Sequence, residues 1–229
     1  MFTLYQSPPP EAIKSQILQM VVDYLSDISL VALTPSNPLF QLYQYGVGFE
    51  VHLYLEALGE GQDIPVELLV ASDPQDPDSV LGFTLYQPLK GDAQACAVAF
   101  MAVRENQRRQ GIARGMLGEM LARYPHGELA CSVARVPCFE ALGFQVVGAR
   151  GPQVLMSTRD HASDGLRAVV DVAPIYRTLE VQQIHAYLLK QHGKKAMVEA
   201  EKKRDRHLDQ LTYQARVFVE QRLGGEASL

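Results

Sequence analysis

The stretch of this chain best equipped for chemistry runs Val103-Arg104-Glu105-Asn106-Gln107-Arg108-Arg109-Gln110-Gly111-Ile112-Ala113-Arg114-Gly115-Met116-Leu117. An apolar run ends at Val103, a polar loop follows, and helical spacing (Ile112, Met116, Leu117, Met120, Leu121) resumes directly after Gly111. The first N–H groups of such a helix have no partner within it, and they sit at the positive end of its dipole. Gly111 allows a sharp turn and Ala113 keeps the approach clear of bulk, while Arg108, Arg109 and Arg114 add positive charge. These residue types at this spacing predict a pyrophosphate-binding helix N-terminus.

The flanking segments supply the frame. After Pro8-Pro9-Pro10, the 3.6-residue recurrence of Ile13, Ile17, Leu18, Val21, Val22 and Leu25 predicts an amphipathic helix over residues 11–26. Pro35-Ser36-Asn37-Pro38 reads as a turn, and residues 47–58 as a second helix ended by Gly59-Glu60-Gly61. Three short apolar runs, 66–71, 79–86 and 95–103, then read as consecutive strands in hairpin connection, the loop 73–78 between the first two being a solvated turn. After the helix at 112 come a strand (128–133), a short helix (137–142) stopped by Gly143, and two more strands (144–149 and 154–157). The order is that of an α/β domain with a mixed sheet. From 176 to 223 the sequence is helical and highly charged, interrupted at His192-Gly193. Leu208, Leu211, Ala215 and Phe218 form one apolar stripe there, whereas 194–206 has only Met197 and Ala200, so that block is expected to be exposed, bridging or packed on a partner.

The 108–113 stretch resembles the acetyl-CoA motif of the GNAT superfamily, Arg/Gln-x-x-Gly-x-Gly/Ala, met here by Arg108, Gly111 and Ala113. The preceding Ala99–Val103 run looks like that family's fourth strand, and Phe139-Glu140-Ala141-Leu142-Gly143-Phe144 looks like its Tyr-Glu-x-Leu-Gly-Phe segment. The resemblance covers roughly residues 1–160. It implies a mixed, mostly antiparallel GNAT-like sheet flanked by helices, followed by a linker (161–175) and a long C-terminal helical extension (176–229). It also implies acetyl-CoA as co-substrate. Main-chain amides of Gln110, Gly111, Ile112, Ala113 and Arg114, with the charges of Arg108 and Arg109, would hold its pyrophosphate. Main-chain groups of Ala102 and Val103 would pair with the pantetheine arm, and Phe139 would lie beside the cofactor. Positioning an amine against an already activated thioester would supply much of the rate.

The chain departs from the family where the general acid belongs. Phe139 stands in place of the Tyr that protonates the departing thiolate, and Arg135-Val136-Pro137 offers none of the Asn found near that helix. Cys138 is a substitute donor or a small buried core thiol. Glu105, at the end of the fourth strand, is a base candidate or an exposed loop carboxylate, and His52 and His126 are weighed beside it, His126 lying in a Tyr-Pro-His-Gly turn.

Composition bounds the rest. Hydrophobic residues make up 47% and charged residues 21% of 229, the balance of a chain with a real core. Residues 1–175 carry 11 Lys/Arg against 19 Asp/Glu, and residues 176–229 carry 10 against 7. The acidic body, and a basic tail without basic-aromatic interleaving, argue against a nucleic-acid partner. Met1–Tyr5 lacks the basic and apolar regions of a secretory leader, no run is long enough for a membrane span, and Cys96, Cys131 and Cys138 have no metal-ligand spacing; the expectation is a cytoplasmic protein with reduced thiols and no metal site. The function expected is N-acetyl transfer to an amine of a small molecule or protein. The alternative is a weak or inactive GNAT-like scaffold in a virion or an oligomer, held to a second copy or another protein through residues 176–229.

Overall fold

A computed structural model describes residues 1–29, 33–59 and 64–224. Its centre is a seven-stranded sheet: β1 (Phe2–Tyr5), β2 (Glu67–Ser72), β3 (Val80–Leu89), β4 (Asp92–Val103), β5 (His126–Cys131), β6 (Gln145–Arg150) and β7 (Gln153–Ser157), in the order β1-β2-β3-β4-β5-β7-β6. Neighbours are antiparallel except β4 and β5, which run parallel. Six helices surround it: α1 (Glu11–Asp23), α2 (Leu25–Ile28), α3 (Phe40–Glu56), α4 (Ile112–Arg123), α5 (Val136–Glu140) and α6 (Leu179–Gly224). No helix among the described residues is long and apolar enough to cross a membrane.

Two cores form, one on each face. On one side Ile13, Ile17, Met20 and Val21 of α1 and Val51, Tyr54 and Leu55 of α3 bury against Leu68, Val70, Phe83 and Leu85. On the other, Met116, Leu117 and Met120 of α4 bury against Leu69, Ala71, Tyr86 and Leu129. Strand alternation assigns Phe83 and Leu85 to the first face and Tyr86 to the second.

Several elements differ from their sequence patterns. β1 is an additional strand, because four residues are too few to show a period. It forms through its neighbours: Phe2 to Tyr5 pair with Ala71 to Leu68, and the Met1 ammonium donates to the Ser72 carbonyl at 3.0 Å. The Phe2 ring lies where a side chain on Gly115 would stand, 2.3 Å from an ideal Cβ, so that glycine admits β1 against α4. α3 starts at Phe40, seven residues ahead of the periodic segment. Its start is set by Asn37, whose Oδ1 accepts from the Leu39 amide at 2.9 Å, and the helix runs through Gly46 and Gly48 despite roughly 1 kcal/mol of lost propensity each. Of the expected stop, Glu60-Gly61 lies outside the described residues.

The C-terminal region is bound to the body it follows. Residues 158–177 form a strap over the α1/α3 face. Leu166 pairs with Lys90, Ser163 Oγ donates to Asp92 at 2.8 Å, and an added Cβ on Gly165 would stand 2.6 Å from Leu89 Cβ. Val170 and Ile175 are buried. α6 then bends at Gly193 (φ 79°, ψ 156°). The block 194–206 is mostly exposed, as its composition predicts, but its two apolar residues, Met197 and Ala200, are buried with Leu33, Leu39 and Leu188 of this chain. Further along, Ala215 and Val219 enter the second core, and Arg222 pairs with Glu140 of α5.

Candidate active site

The site begins where two strands part. β4 and β5 pair only through Ala95, Cys96 and Ala97 with His126, Gly127 and Glu128. Beyond Ala97, β4 continues six residues to Val103 with β3 as its sole pairing neighbour. Ala99 is an extra residue in that pairing, since Leu85 opposes Phe100 and Tyr86 opposes Val98. Such a bulge twists a strand and ends its pairing on one side.

The free edge can be resolved residue by residue. The Arg104 amide donates to the Leu81 carbonyl at 2.8 Å, so that pair is hydrogen-bonded. Bonded and non-bonded pairs alternate in an antiparallel ladder, so Ala102 and Phe100 also direct their main chains at β3. Met101 and Val103 turn theirs toward the opening. Of the two residues expected from sequence to pair with a pantetheine arm, Val103 therefore faces the gap, while Ala102 is bonded within the sheet. Met101, adjacent to it, was not singled out, because no sequence signal reports ladder phase.

At the end of β4 the chain makes one 3₁₀ turn (Glu105–Gln107) and enters two left-handed residues, Arg109 (φ 64°) and Gly111 (φ 82°). Arg109 is the only non-glycine with positive φ among the described residues. A left-handed non-glycine costs about 1–2 kcal/mol, and such strain gathers at functional turns. α4 starts at Ile112, and its first internal acceptor, the Gly111 carbonyl, is taken by Gly115 at 2.8 Å. The amides of Ile112, Ala113 and Arg114 are thus left pointing out of the helix end, as the sequence predicts.

The arginines divide. Arg109 is exposed and has no side-chain partner among the described residues. Arg108 is turned inward: Nε donates to the Val103 carbonyl at 3.2 Å, Nη2 to Asp27 at 2.9 Å, and the guanidinium lies 4.9 Å from the Tyr24 ring centre. Asp27 also accepts from Arg135 at 2.7 Å. One α2 carboxylate thereby bridges the loop after β4 and the turn after β5, across the mouth of the gap. Arg114 reaches the Ala141 carbonyl at 3.4 Å, and Gln110, exposed, reaches the Asn106 carbonyl at 3.4 Å.

The catalytic candidates are dispersed. Glu105 is exposed, its main-chain N–H donating to Tyr24 Oη at 2.9 Å. Cys138 is exposed on α5, which corrects the buried-thiol reading: Val136, not Cys138, faces the core. Cys96 and Cys131 are the buried thiols, each pushed up to about 12 by burial. Phe139 is half-buried, edge-on to Phe144 at 6.2 Å, so its ring serves the second core. His126 opens β5 rather than lying in a turn; it is 1% exposed and shares a 3.0 Å hydrogen bond with Ser157. His52 lies on α3 against Phe49.

Sequence reasoning passed over a polar junction on the α1/α3 face. Gln87 of β3 is fully buried, and Arg167 of the strap donates Nε to its Oε1 at 3.1 Å. Glu50 of α3 makes no side-chain hydrogen bond among the described residues; burial holds its carboxyl above the usual range, with the Arg167 charge pulling the other way. Arg167 lies 80 positions from Gln87, and Gln87 lies 37 from Glu50, so no local pattern joins them. Among the described residues no group of three or more His, Cys, Asp or Glu side chains is placed to hold a metal ion.

No family model and no curated protein matches this sequence. Solved structures do match it. The PaiA N-acetyltransferase from Thermoplasma acidophilum, in complex with coenzyme A, superposes with a TM-score of 0.51 at 10% identity over 69% of this chain and 99% of that one. An aminoglycoside 6'-N-acetyltransferase complexed with coenzyme A gives 0.49 at 12% identity over 75% and 99%. Nourseothricin acetyltransferase gives 0.36 at 16% identity, with 42% of this chain covering 66% of that one. The first of these, together with the parted β4 and β5, establishes the architecture: the chain has the GNAT N-acetyltransferase fold, extended at its C-terminus by the long helix α6.

Proposed function

We propose that this chain is an acyltransferase that moves an acetyl group from acetyl-CoA to an amine of a small molecule or protein. The observation that carries the reading is the pairing of a strand edge free at Met101 and at the Val103 amide, the Val103 carbonyl being held by Arg108, with a helix end whose Ile112, Ala113 and Arg114 amides point outward. The edge can take an extended pantetheine arm as an added strand. The helix end and the unpaired Arg109 can take its diphosphate. A main-chain N–H at the gap would polarise a thioester carbonyl, an interaction that strengthens as oxyanion charge develops.

The test is calorimetric titration of acetyl-CoA into the wild type and into Gly111→Glu. A Cβ at residue 111 meets nothing within 4 Å, so the new carboxylate stands in open space at the helix end, although the left-handed backbone there (φ 82°) strains any side chain. Micromolar binding that falls by roughly tenfold or more in the variant, about 1.4 kcal/mol, supports the reading. No binding by the wild type overturns it.

The alternative, a weak or inactive scaffold, draws support from Phe139, which cannot donate a proton to a thiolate. Its other support, a tail unable to bury itself, is absent: Met197, Ala200, Ala215 and Val219 are buried in this chain's own cores.

A further inference from the structure

A transferase needs an acceptor end as well as a donor end, and the junction of α3, β3 and the strap has the chemistry for one. Gln87 lies opposite Ala97, and Ala97 is the last β4 residue paired with β5. Gln87 is therefore level with the point where the strands part. The Arg167 donor fixes the orientation of its amide, since only Oε1 can accept. Its Nε2 is then a fully buried donor with no acceptor among the described residues. A buried donor left unmade costs about 1–3 kcal/mol, and a site that keeps one is a site awaiting an oxygen.

Glu50 reaches the same place from α3. It lies one turn before Tyr54, whose ring meets Phe100 edge-on at 6.0 Å, on the part of β4 that runs free of β5. Arg167 connects the two residues, bonded to Gln87 and within electrostatic reach of Glu50. Charges that the other neighbours of α3 bring are already paired: Lys14 of α1 with Glu56, and Arg204 of α6 with Tyr43 and Asp205. A half-buried carboxylate held above its ordinary range is a stronger base near neutral pH.

We propose that Glu50, Gln87 and Arg167 form the acceptor end of the site for a primary amine that carries a carbonyl or hydroxyl oxygen one or two bonds away, with Glu50 as its base. This rests on the acyltransferase reading above. The Gln87 Nε2 donates to that oxygen and Glu50 holds the ammonium. Glu50 takes one proton from it and later releases that proton to solvent. The freed nitrogen lone pair forms the C–N bond to the thioester carbon. The C–S bond breaks with its electron pair on sulfur, and the second nitrogen proton ends on that thiolate, leaving an amide and a free thiol.

The experiment follows thiol release from acetyl-CoA by the full chain with two probe amines, glycinamide, which has the neighbouring carbonyl, and ethylamine, which lacks it. Glycinamide is expected to be the better acceptor in the wild type, and Gln87→Leu to abolish the preference. Glu50→Gln is expected to lower kcat about 100-fold. Below the amine's own ionisation the wild type is to hold its kcat/KM, because Glu50 deprotonates bound ammonium, whereas Glu50→Gln is to lose about tenfold per pH unit with the vanishing free amine. Calorimetric acetyl-CoA affinity unchanged in both variants shows that they are folded. A Glu50→Gln enzyme with wild-type rate and pH profile sinks the inference, as does a wild type that binds acetyl-CoA and serves neither probe. A wild type that binds no acetyl-CoA removes the acyltransferase reading itself.

Discussion

Two glutamates on opposite faces of the sheet, Glu67 buried and Glu50 half-buried, show how this protein treats a carboxylate it needs for structure and one it leaves available. Glu67, on β2, accepts from Tyr86 at 2.7 Å, Tyr124 at 3.1 Å, Gln6 at 3.2 Å and both Arg123 Nη2 (2.8 Å) and Nε (3.2 Å). Burial alone would raise its carboxyl, but the hydrogen bonds of Arg123, Tyr86 and Gln6 outweigh it and hold the group below its ordinary value. The same network drives the Tyr86 hydroxyl well above its usual range, through burial and then through Glu67. Glu50, half-buried, has no such hydrogen bonds among the described residues; burial moves its carboxyl up, and the Arg167 charge opposes this without reversing it. Glu50 thus carries the contrast on which the acceptor proposal is built.

The largest effect is expected at the satisfied site. Glu67→Gln leaves Arg123 and two tyrosine hydroxyls facing an amide, and should cost about 3 kcal/mol of unfolding free energy in urea titrations, with acetyl-CoA affinity of the folded protein unchanged. A small loss, below about 1 kcal/mol, would mean that the network is not the anchor described here. Glu50→Gln, by contrast, should leave stability at pH 7 unchanged or slightly higher, since it removes a half-buried charge that has no hydrogen-bond partner among the described residues.

The pH dependence sharpens the same contrast, because the two groups have opposite signs. Glu67 has a folded value below the ordinary 4.5, so its contribution is present above 4.5 and is lost as pH falls through the folded value. Glu50 has a folded value above 4.5, so its contribution is full below 4.5 and is lost as pH rises through the folded value. Unfolding free energies measured between pH 3 and 7 should therefore show Glu67→Gln and the wild type converging in acid, and Glu50→Gln and the wild type diverging toward neutrality. Parallel curves would refute the assignment.

The smallest effect concerns the helix end. Arg109→Gly relieves a left-handed side-chain residue and should stabilise the fold by up to about 1 kcal/mol, while weakening acetyl-CoA binding through the lost charge. Arg108→Ala should act the other way round: its guanidinium is engaged by Val103, Asp27 and Tyr24, so the variant should lose stability first. Binding that responds to Arg108 far more than to Arg109 would reverse their roles.

Much of this molecule is written locally. The periodicity at Ile13, Ile17 and Val21 determines α1, because burying one face at 3.6-residue spacing is a short-range demand, and the short apolar runs bounded by turn residues determine β2 to β4. Gly111 and the polar loop before it likewise determine a helix end with free amides, since those groups lack partners in any helix. The tertiary structure decided the rest. β1 exists because the edge of β2 and the missing side chain of Gly115 receive it. Arg108 faces inward because Asp27, 81 residues away, is there to meet it. Charged 194–206 stays on its own body because the Gly193 bend aims Met197 and Ala200 at Leu33 and Leu39. Whether Glu67 is satisfied and Glu50 is not depends on which distant donors the folded chain brings within about 3 Å, and hydrogen bonds of that reach leave no period in a sequence.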